Sequence, residues 1–132
     1  MLTIASLLSI LLLMFHLTDD IVHGMEPGTL SNIIAVPIFV VLLYGTLVLR
    51  ERRAGYVIML IGGLFAAGMP VIHMMGKGVG EIAKSGGGFF FVWTLFALGA
   101  SGVFSIILAA RLLWNPKWGE SRQSNKANME LV

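Results

Sequence analysis

LTIASLLSILLLMFHLTDDIV, residues 2–22, decides how this chain is read. No charged residue occurs before Asp19, and only Thr3, Ser6, Ser9 and His16 interrupt the apolar run up to Leu17. About 20 mostly apolar residues are what a helix needs to cross the hydrocarbon of a bilayer. Lipid offers no partner for free backbone N–H and C=O groups, so only helices and closed barrels cross it. Residues 2–22 show no period-two alternation, and the barrel falls away.

The rest of the chain repeats the pattern. Spans are expected at about 2–23, 32–50, 55–75 and 88–114, giving an all-α, integral membrane four-helix bundle over 1–114 with four transmembrane helices. A polar cytoplasmic tail, 115–132, follows. Across 132 residues 57% are apolar and 12% charged, whereas soluble domains average roughly 45–50% and about 25%. Mean hydropathy is +0.88. A cytosolic enzyme and a nucleic-acid binder are excluded. With no cysteine, so are a disulfide scaffold, a thiolate nucleophile and an iron–sulfur cluster.

The sparse charge is unevenly spread. Arg50, Arg52 and Arg53 lie between spans two and three, and Arg111, Lys117, Arg122 and Lys126 lie at or after the end of span four. The other two connections hold only Lys77 and Lys84. The positive-inside rule places both termini in the cytoplasm, in a plasma (inner) membrane. Ile4–Phe15 has the look of a signal-peptide core, but no basic segment precedes it and no small-residue cleavage site follows before His23. An uncleaved first span is the expectation.

Charge inside a membrane helix costs about 2.5–3.5 kcal/mol per group at mid-depth, yet span one ends His16-Leu-Thr-Asp19-Asp20-Ile-Val-His23. At about 100° per residue, His16, Asp19, Asp20 and His23 share an arc of about 100°, made of two i,i+4 pairs. At 1.5 Å per residue His16 and His23 lie roughly 22 and 33 Å from the inner face, and His73 on span three lies about 30 Å from it. All three histidines therefore converge at one extracytoplasmic level.

Imidazole and carboxylate together suit a divalent transition metal: Zn, Fe, Mn or Cu. The candidate ligands are His16, Asp19, Asp20, His23 and His73, with Glu81 as a possible contributor from the glycine-rich outer loop 76–88, read as a mobile lid. Met25, Met69, Met74 and Met75 lie at the same level and would favour copper, though Met more often fills gaps in packing. Haem between His73 and His16 or His23 is disfavoured, because two aspartates are poor neighbours for an apolar macrocycle. The plainer account is two solvated acids and a snorkelling histidine at a helix end. It sits badly with carboxylates at the negative end of a helix dipole.

Two further features bear on architecture. Pro37 and Pro70 fall within spans two and three, where a kink is expected. Gly62, Gly63, Ala66 and Ala67 on span three and Ala97, Ser101, Ser105 and Ala109 on span four form small-residue stripes. They would pack the bundle or join a homo-oligomer or larger membrane complex. Beside the metal reading stand two alternatives: an accessory subunit with no chemistry of its own, and an ion or proton conductor.

Overall fold

The computed structural model describes residues 1–24, 28–75 and 88–114. Four α-helices form the bundle: α1 (Leu2–Val22), α2 (Ala35–Leu47), α3 (Arg53–Met75) and α4 (Gly88–Trp114). A 3-10 turn, Leu30–Ile34, leads into α2. Three apolar layers fix the directions of α1, α3 and α4. At one end Leu2 packs with Met59 and Ala109. In the middle Leu12 meets Ala66 and Leu98. At the far end Phe91 and Leu95 pack against Met69. Rising numbers on α1 and α3 run against falling numbers on α4, so α1 and α3 are parallel and α4 is antiparallel to both.

Among the described residues, only α1, α3 and α4 are long and apolar enough to cross a membrane. The expectation of four transmembrane helices is corrected here. At 1.5 Å per residue the 13 residues of α2 reach about 20 Å, against hydrocarbon about 30 Å thick. Pro37 supplies the reason. It has no N–H and its ring crowds the carbonyl four residues earlier, which is that of Ile33. The α-helix therefore begins at Ala35, putting Pro37 in its first turn, where donors lack intrahelical partners anyway. Before it the chain tightens into the 3-10 turn, whose start is set by Thr29: its backbone N–H donates to Asn32 Oδ1 at 3.1 Å. Pro70, by contrast, is tolerated inside α3, which continues through it to Met75.

Outward-facing side chains on the long helices are large and apolar. Ile4, Phe65, Trp93, Phe96 and Phe104 are all more than half exposed. A water-soluble surface does not carry such a continuous apolar girdle. The chain is a multi-pass membrane protein.

The small-residue stripes are spent inside the chain. Gly63, Ala66, Ser101, Ser105 and Ala109 are buried. A Cβ on Gly102 would lie 2.5 Å from the Ala67 nitrogen and 2.7 Å from the Gly63 carbonyl oxygen, so α3 and α4 meet backbone to backbone. Gly62 faces Leu42 of α2, and Ala97 packs on the middle layer.

Hydroxyls stitch the helices together near mid-depth. Ser9 Oγ donates to Ser101 Oγ at 3.0 Å, and Ser105 Oγ lies 3.4 Å from Ser9 Oγ. Ser6 and Thr46 hydroxyls are 2.8 Å apart, tying α2 to α1. Interhelical hydrogen bonds in membranes average about 0.6 kcal/mol and reach about 1.7. Ser9→Ala is accordingly expected to lower unfolding free energy in detergent by about 0.6 kcal/mol, without changing helical content by circular dichroism.

Candidate metal centre

Regular helix spacing puts His16 and Asp20 one turn apart on the inward face of α1. His16 is 1% exposed and Asp20 6%. The parallel run of α1 and α3 brings the last turn of α3, with His73, to the same height. His16 Nε2 stands 3.6 Å from Asp20 Oδ2, and His73 Nε2 stands 3.4 Å from the same oxygen. One ligand atom from each residue lies within 4.8 Å of the other two. A buried His16/Asp20/His73 cluster able to chelate a metal ion therefore joins α1 to α3.

The protons can be placed. His73 Nδ1 is 3.0 Å from the Met69 carbonyl oxygen, which only accepts, so Nδ1 carries the hydrogen. In the neutral ring Nε2 is then left with its lone pair, turned toward a carboxylate. Two acceptors face each other there unless a proton or a cation lies between them. His16 sharpens the point: neither ring nitrogen has a hydrogen-bond partner among the described residues, though both are buried. Leaving such a group unsatisfied costs about 1–3 kcal/mol.

A charge-assisted N–H···O bond closes to about 2.7–2.9 Å. Ligand atoms about 2.1 Å from a tetrahedral ion are about 3.4 Å apart, and cis ligands of an octahedral ion about 3.0 Å apart. The observed 3.4 and 3.6 Å are of the order of such ligand–ligand separations, and all three ligand atoms lie within 4.8 Å of one another.

Phe91, from the first turn of α4, closes the inner side of the cluster. Its ring centroid lies 5.2 Å from that of His16 and 5.8 Å from that of His73. The two imidazoles meet edge to face with centroids 4.6 Å apart, leaving no room for a macrocycle between them. Below, the layer of Leu12, Ala66 and Leu98 separates the cluster from the hydroxyls of Ser9 and Ser101.

Asp19 and His23 do not join this trio but pair with each other. His23 Nδ1 is 2.9 Å from the Asp19 carbonyl oxygen and 3.3 Å from Asp19 Oδ1. Geometry explains the split. An arc of about 100° on a helix about 10–12 Å across spans about 8 Å, too wide for one coordination shell. Each i,i+4 pair is compact, and His73 stands beside the His16–Asp20 pair. Glu81, the loop 76–87, Met25 and the tail lie outside the described residues. Phe91 and the Met69 carbonyl were not singled out by spacing arguments; the run Phe89-Phe90-Phe91 at the height of His16 was the available signal for the first.

Comparison with protein-family models, with curated proteins and with solved structures finds no match to this chain.

Proposed function

We propose that this chain is a metal-binding membrane protein that holds a divalent transition ion between His16, Asp20 and His73 at the extracytoplasmic ends of α1 and α3. The observation that carries the reading is the pair of 3.4 and 3.6 Å separations around one carboxylate oxygen, beside a buried imidazole with no hydrogen bond of its own. Among Zn, Fe, Mn and Cu, two imidazoles with one carboxylate are a donor set that zinc takes readily. Two imidazoles and a carboxylate leave its fourth position open, as zinc sites with an exchangeable water do. Asp19 and His23 stand at the rim, as donors that meet an ion on its way in.

Orientation follows from charge. Arg50, Arg52 and Arg53 in the α2–α3 connection and Arg111 near the end of α4 gather at the end of the bundle opposite the cluster, which supports a cytoplasmic placement for that end. The apolar layer beneath the cluster argues against a conducting path along the bundle axis.

Elemental analysis of the full chain, purified in mild detergent without added metal, tests the reading. One ion per chain is expected, falling below one-tenth in His73→Ala and unchanged in Ser101→Ala. Metal-free protein that takes up no zinc, iron, manganese or copper when these are supplied would defeat it. So would a His73→Ala protein that binds as well as the parent.

A further inference from the structure

We propose that the groove between α2 and α3 binds one acyl chain of an anionic phospholipid whose phosphate is held by Arg52 and Arg53. The groove has a volume of about 310 Å³ and is wholly apolar. Pro37, Ile38 and Val41 form one wall, and Ile58, Ile61 and Phe65 the other. Leu42, Gly45 and Thr46 are the buried residues of α2, while Val36, Ile38, Val40 and Val41 are each at least half exposed.

Two properties select a lipid chain over another helix. Helices associate in membranes through small residues that let backbones approach, and the walls here are large and branched. The nearby glycines are already occupied: Gly45 lies against Ile58 and Gly62 against Leu42. Charge at the groove's end selects the headgroup. Arg50 pairs with Glu51 at 3.7 Å, whereas Arg52 and Arg53 are exposed and make no ion pair among the described residues. Ile58 begins about 7.5 Å above Arg53 at 1.5 Å per residue, close to the thickness of the interfacial layer, about 5–7 Å per leaflet. A phosphate at the arginines therefore stands one interfacial layer from the level at which the groove begins. Basic residues beside helices recognise anionic lipid in this way, at about 1 kcal/mol each.

Native mass spectrometry of the full chain supplies the test, with phosphatidylglycerol and phosphatidylcholine of identical dioleoyl chains as probes. One phosphatidylglycerol per chain is expected to be retained in preference to phosphatidylcholine. The double variant Arg52→Gln/Arg53→Gln is expected to bind it about 30-fold more weakly, from about 1 kcal/mol per arginine. Val41→Trp, or Ile61→Trp should the first not fold by circular dichroism, fills the groove and abolishes retention of either lipid. Equal retention of the two lipids by the parent, or full retention by the arginine or tryptophan variants, would overturn the proposal. A tryptophan variant that instead dissociates a dimer of the parent would overturn it too, making a second copy the occupant.

Discussion

Replacing His16 with leucine is expected to stabilise the metal-free protein while abolishing its response to metal. His16 is 1% exposed, and both ring nitrogens lack hydrogen-bond partners among the described residues. Without an ion the imidazole is a liability of about 1–3 kcal/mol, which an apolar side chain of similar volume removes. With metal the order reverses. A ligand at about 100 times its Kd stabilises the folded state by about 2.7 kcal/mol, and the parent gains this while His16→Leu does not. Thermal unfolding in detergent, with zinc and with chelator, reads both effects. A histidine kept for packing alone would give the opposite pattern: a less stable His16→Leu protein in chelator, and no response to zinc in either chain.

The second large effect concerns the contact that holds α3 to α4. Gly102→Leu is expected to cost more than about 4 kcal/mol, beyond the usual range for one substitution and a large part of a stability of about 5–15 kcal/mol. Even the first carbon of a side chain at Gly102 would sit 2.5 Å from the Ala67 nitrogen, 2.7 Å from the Gly63 carbonyl oxygen and 2.8 Å from Ala66 Cβ. Two of these three are backbone atoms, which cannot turn aside as a flexible side chain does. The helices must separate, taking the Ser9–Ser101 bond with them. Gly68→Ala is the control: a Cβ there meets nothing within 4 Å, and glycine inside a helix is weaker than alanine by about 0.5–1 kcal/mol. It should stabilise. Equal unfolding free energies for the two variants would show that the α3–α4 contact is not where the fold is held.

These two positions also mark what the sequence discloses and what it hides. The three long helices were legible as apolar runs, because an apolar run of about 20 residues has only one structure open to it in lipid. The second was not. Ile33, Ile34, Ala35 and Val36 are equally apolar in a 3-10 turn and in an α-helix, and hydropathy counts them alike. Pro37 was visible, but read as a kink within a span, not as the start of a shorter helix. The stripes of Gly63 and Ser105 announced close approach without naming the partner surface, which proved to lie in the same chain.

The candidate site divides in the same manner. Helical spacing alone pairs His16 with Asp20, and counting rise per residue sets His73 at their height. That α1 and α3 turn those faces toward each other depends on how the middle layer of Leu12, Ala66 and Leu98 packs, which no local pattern encodes. The same packing turns Asp19 and His23 aside.

X-ray absorption at the metal edge, on the full chain loaded with zinc, addresses the central claim most directly. Two imidazoles and one carboxylate are expected among the ligands at about 2.0–2.2 Å, with one imidazole lost in His16→Leu. A first shell without imidazole, or one that His16→Leu leaves unchanged, would contradict it.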